Sequence, residues 1–177
     1  MQTQSVSKRT RMAIAVIIAC ALAVANTSLS AASKAAAADK LVPFKGSLHA
    51  TETIVTPPGS PPVSFVADGS GGGIATHLGQ FTLTWEFTVI IANGTGTGPV
   101  HFTAANGDEI FTTAAGTSEP TSTPGVFHIT EVQTITGGTG RFANARGTFF
   151  VDRLTDLNTG LTSGSFNGII TSPGEAH

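Results

Sequence analysis

Cysteine is almost missing from this chain of 177 residues, Cys20 being its only one, and tyrosine does not occur at all. Cys20 lies in an N-terminal apolar run, so the rest of the chain has no disulfide and no thiolate chemistry. A domain of about 140 residues holds together without such a staple, because the buried fraction of its surface rises with length. Charge is scarce too: Asp, Glu, Lys and Arg make up 11% of the chain. From Asp39 onward, Lys40, Lys45, Arg141, Arg146 and Arg153 stand against eleven acidic residues, a net charge of −6. A domain with that balance and no basic stripe cannot hold a phosphate backbone, which excludes nucleic acid as a partner. Glycine and proline are absent before Pro43 and abundant after it, at 21 and 9 residues. No stretch past residue 40 carries a 3.6-residue apolar stripe, so the later chain is not helical.

What the N-terminus does have is a basic patch, Lys8, Arg9 and Arg11, followed by an apolar run from Met12 to Ala25. This is the order of a secretory signal, and the run is shorter than the ~20 residues a spanning helix needs. Ala23-Val24-Ala25 offers a small-x-small cleavage site and Ala36-Ala37-Ala38 a later one. Ile17-Ile18-Ala19-Cys20 resembles a lipobox, and lipidation at Cys20 is the alternative, although Ala21 to Ala25 stay apolar where a lipoprotein turns polar. The reading is a signal helix over 1–25, extending to 38 with the later site, a Ser/Ala-rich linker over 26–41 and a β-domain over 42–177. That domain works outside the cytoplasm, secreted, periplasmic or lipid-anchored. No second apolar run exists, so no stable transmembrane span survives processing.

The later segments alternate with period two. Phe44, Gly46, Leu48 and Ala50 share one strand face, and Phe81, Leu83, Trp85, Phe87, Val89 and Ile91 share another. Asn93-Gly94 and Asn106-Gly107 predict tight hairpins, since both residue types tolerate positive φ. The prolines between Pro57 and Pro62 predict a loop, as does the Thr/Ser/Pro stretch from Gly116 to Gly125, and the run Gly69 to Gly73 predicts a sharp bend or bulge. Further strands are expected over Val126–Thr136, Phe149–Leu154 and Leu161–Thr171, with a turn at Asp156–Gly160. Strands at about ten-residue spacing joined by hairpins mean an all-β sandwich or barrel.

The stretch Gly137-Gly138-Thr139-Gly140-Arg141-Phe142-Ala143-Asn144-Ala145-Arg146-Gly147 resembles the GGTG-basic-Phe-x-x-Ala-x-Gly signature of plant dirigent proteins and the related segment of allene oxide cyclases. The resemblance implies a closed antiparallel barrel of about eight strands with an apolar interior, and homo-oligomerisation, commonly as trimers. Within it Gly137, Gly138, Gly140 and Gly147 permit a corner, Phe142 plugs the barrel wall or end, and Arg146 pairs at the corner. Neither family's active-site residues can be placed by motif, so the resemblance assigns no catalytic residue.

His49, His77, His101 and His128 are scattered without metal-ligand spacing, and no metal or other cofactor is expected. There is no Gly-x-Ser-x-Gly elbow and no phosphate loop. The polar residues that matter lie on apolar faces: Phe127, Ile129 and Ile135 share a face with Glu131 and Gln133, and Glu52 is in phase with Leu48, Ala50 and Ile54. Either these carboxylates point inward, or a phase shift leaves them in water; the cost of a buried unpaired charge favours water. Arg146 is the candidate partner for an inward Glu131. The first reading of function is a binding module whose interior, lined by Phe81, Leu83, Trp85, Phe87, Phe127, Ile129 and Gln133, holds a small apolar molecule. The second is an isomerase or cyclase with Glu131 as acid/base. The third is a filled, non-catalytic structural or surface-interaction protein.

Overall fold

The computed structural model describes residues 40–57 and 62–174. The expected signal segment, its cleavage sites, Cys20 and the linker up to residue 39 lie outside the described residues, as do 58–61 of the proline loop. Eight strands follow one another: β1 (Leu41–Val55), β2 (Ser64–Ala75), β3 (Gly79–Ile90), β4 (Thr95–Ala104), β5 (Glu109–Pro120), β6 (Val126–Gly138), β7 (Gly147–Asp156) and β8 (Leu161–Thr171). Each pairs antiparallel with its neighbours in sequence, and β8 returns to β1, closing the sheet into a barrel. β1 opens at Leu41, the residue with which the expected linker ends.

Alternation of burial along each strand puts one face on the barrel axis, as the two-residue rhythm requires. Two hairpins form where expected, with Gly94 and Gly107 at positive φ. Two local expectations need correcting. The stretch from Gly116 to Pro120 is strand, paired with Phe127–Glu131, and only the following few residues form the loop. The run Gly69 to Gly73 is neither bend nor bulge: it continues β2 in unbroken register with β1 and β3. Its glycines are there for room, since a Cβ at Gly69 would enter the Trp85 ring and one at Gly73 would strike the Ser47 carbonyl. The irregularity instead falls where β6 passes β5. There Thr136 is the extra residue between the pairs Phe111–Gly137 and Thr112–Ile135.

The core fills one half of the barrel. At the end where β1, β3, β5 and β7 begin, Phe44, Phe81, Phe102, Phe149 and Phe166 interlock, with ring centroids 5.1–6.2 Å apart. The β6–β7 corner closes this end. Its single 3-10 turn, Gly140–Phe142, buries Phe142 completely and carries the Arg141 guanidinium over the Phe142 ring. Gly140 takes φ +54 there, a conformation that glycine adopts without strain. Phe142 therefore plugs an end of the barrel. Arg146 serves the corner through its backbone: its N–H donates to Thr171 Oγ1 and its carbonyl accepts from Thr171 Oγ1.

Candidate functional site

Towards the other end the inward positions shrink. Ala67 of β2, Gly96 of β4, and Ala114 and Gly116 of β5 replace the phenylalanines, and a cavity of about 510 Å³ opens among them. Its walls are Ile54, Phe65, Phe87, Val89, Ile91, Phe127 and Ile129, with Leu157, Pro120 and the Asn93-Gly94 turn near the mouth. The odd-numbered strands end and the even-numbered strands begin at this end, so the cavity has a mouth there and a floor halfway down the barrel.

The floor is charged. Glu131 is buried and faces inward, and so is Glu52, against the expectation that water holds them. The physical reason is a counter-charge: Arg153 of β7, only 4% exposed, lies between the two. Its Nε and Nη2 donate to Glu131 Oε1 at 3.1 and 2.9 Å, and its Nη1 donates to Glu52 Oε2 at 3.1 Å. The same Nη1 reaches Thr155 Oγ1 at 2.7 Å and Thr162 Oγ1 at 3.1 Å. From there the hydroxyls donate onward, Thr155 Oγ1 to Thr162 Oγ1 and Thr162 Oγ1 to the Leu154 carbonyl. On the other side Thr112 Oγ1 donates to Gln133 Oε1 at 2.6 Å, and Gln133 Nε2 donates to Glu131 Oε2 at 3.0 Å. The guanidinium lies against Trp85 and Phe87, its carbon 5.2 and 6.0 Å from their ring centroids. Buried charges persist only when paired and hydrogen-bonded, and this network meets that condition for Glu131 and Arg153.

Glycine makes room for the network as it does for Trp85. A Cβ at Gly116 would press on the Glu131 side chain, and one at Gly164 would press on Arg153. Large and small residues thus face each other across neighbouring strands, and the bulky polar groups occupy the middle layer.

Several expected site residues lie elsewhere. Phe81 belongs to the phenylalanine cluster at the sealed end. Leu83, Trp85 and Gln133 border a void of about 10 Å³ beneath the floor, not the cavity. Phe87, Phe127 and Ile129 do line the cavity. The partner of Glu131 is Arg153, not Arg146, whose side chain is exposed at the sealed end. Glu131 itself has both oxygens engaged, so it is a held carboxylate, whereas Glu52 Oε1 accepts no hydrogen bond among the described residues. Trp85 Nε1–H is buried with no acceptor among the described residues. His49, His77 and His101 sit on the outside, and His128 pairs with Asp152 at 3.0 Å on the outer face.

Sequence reasoning missed Arg153. It stands two residues from Val151 and four from Phe149, in phase with both, so the alternation of β7 held the signal.

No family model matches the chain, and no curated protein matches it. Among solved structures, that of a pterocarpan synthase dirigent protein superposes with a TM-score of 0.54 at 16% identity, over 76% of this chain and 92% of that one. The barrel is dirigent-like. At that identity the likeness concerns the fold alone.

Proposed function

We propose that this chain is an exported barrel that binds one small, mainly hydrophobic molecule in its open half. The observation that carries the reading is the one-ended cavity of about 510 Å³, apolar at the walls and polar at the floor. That size and that lining are typical of sites that take a drug-sized ligand and orient it by a few polar contacts. Export rests on the basic patch and apolar run before Ala25. The test is calorimetric titration of the full chain with aromatic alcohols, amines and carboxylates. Saturable one-to-one binding that is lost when Ala67→Trp fills the cavity supports the reading; no heat with any of them, or equal binding by Ala67→Trp, overturns it.

A second reading is catalysis in the same cavity, favoured by Glu52. A general acid or base needs a carboxylate oxygen free to meet the substrate, and Glu52 Oε1 meets that need where Glu131 does not. The solved dirigent neighbour is described as a synthase, which agrees with this reading. An isomerase or cyclase of this kind would lose turnover on Glu52→Gln; unchanged turnover would rule Glu52 out.

A further inference from the structure

The cavity floor carries unequal charge. Of the residues lining the cavity, the ionisable ones are Glu52, Glu131 and Arg153, two carboxylates against one guanidinium. Glu131 takes the larger share of that guanidinium, receiving both Nε and Nη2. Glu52 receives Nη1, whose two protons are divided among Glu52, Thr155 and Thr162. One oxygen of Glu52, on a side chain only 4% exposed, is left without a donor among the described residues, at the wall of a cavity large enough for a ligand. That oxygen is open to the cavity and not sealed from it, so a donor carried on a ligand can take the place water would hold there.

We propose that the ligand carries a positive charge at its buried end: an apolar amine whose ammonium donates to Glu52 Oε1 while its hydrocarbon lies along Phe87, Phe127 and Ile129. This rests on the reading that the cavity binds a small molecule, and it narrows the class. Anions are disfavoured on the same geometry. Arg153 gives Nε, Nη1 and Nη2 to oxygens of the floor and lies against Trp85 and Phe87, so an incoming carboxylate meets Glu52 before any cation. Phenylalanine walls suit the cation as well, since ring faces attract ammonium groups.

The test uses three molecules of one skeleton on the full chain, phenylbutylamine, phenylbutanol and phenylbutyrate, titrated by calorimetry at neutral pH. The amine is expected to bind about tenfold or more tighter than the alcohol, the usual worth of a charged hydrogen bond, with the carboxylate weakest. In Glu52→Gln, which leaves Arg153 and Glu131 balanced, the ratio of amine to alcohol affinity should fall towards one. Equal affinities for all three, or preference for the carboxylate, overturn the cationic ligand and leave the binding cavity standing. No binding by any of the three overturns the cavity reading itself. A preference for the amine that survives Glu52→Gln overturns the assignment to Glu52. Should that variant not fold, as its far-ultraviolet circular dichroism reports, the ranking on the unaltered chain decides.

Discussion

One guanidinium holds two carboxylates and two hydroxyls, and the consequences of removing it are specific. Arg153→Met should cost about 3–5 kcal/mol of stability in urea unfolding, because it strands Glu52 and Glu131 inside an apolar barrel. The triple variant Arg153→Met, Glu52→Gln, Glu131→Gln should recover most of that loss, since the penalty comes from charges left alone and not from a missing attraction. If the single variant is as stable as the parent, the floor is not electrostatically coupled. At this scale the sequence was half legible. The inward phase of Glu131 and Glu52 follows from counting by twos along their strands. The pairing of Glu52 with Arg153 does not, because the two residues are 101 positions apart and only closure of the barrel brings them together. Without a partner in view, the cost of a buried charge pointed the reading towards water.

Among the elements, β2 teaches most about why its residues were misread. A glycine run in a sequence signals either flexibility or lack of room, and only the strand laid across it tells which. Gly69 lies under Trp85, so Gly69→Ala should destabilise by about 1–3 kcal/mol through overpacking, although alanine suits an extended backbone. The β7–β8 turn offers a pH test. Asp156 is held below the usual aspartate value of 3.8, chiefly because the Asn158 backbone N–H donates to its carboxylate, with Thr159 and the Asn158 side chain adding to it. A group whose folded value is depressed stabilises above its unfolded value and loses that contribution as pH falls through the folded one. Wild type should therefore exceed Asp156→Ala in stability at neutral pH, and the gap should narrow below about pH 4. A gap that stays constant to pH 2 would refute the linkage. The corner between β6 and β7 was the most legible element, since Gly137 to Gly147 carry the dirigent resemblance and Phe142 is buried there as an end plug.

For the molecule as a whole, the barrel is two objects in one wall. The sealed half is a phenylalanine core; the open half is a lined cavity. They should respond to mutation separately. Phe102→Ala should cost about 3–5 kcal/mol while leaving ligand affinity within a factor of about two. Ala67→Trp should abolish binding with a smaller effect on stability. Thermal unfolding with and without phenylbutylamine reads both. The all-β class was legible because alternation and hairpin residues are local, whereas the count of about eight strands came from the dirigent resemblance, the glycine run of β2 having been read as a bend or bulge. Whether the interior is solid or hollow was not legible, because it depends on which inward residues share a level along the axis. Antiparallel neighbours present those levels in opposite chain order. Phe81 and Leu83 were expected at the cavity for that reason and lie below it.

Closure also bears on where the polypeptide is allowed to begin. Leu41 of β1 faces Thr171 of β8, and the Ser172 N–H donates to the Lys40 carbonyl at 2.7 Å. A ring of strands has no intrinsic first member. A short Gly/Ser bridge from Ser172 to Lys40, with new ends cut at Asn106-Gly107 on the sealed side, would give a circular permutant that keeps every rung of the ladder and leaves the mouth untouched.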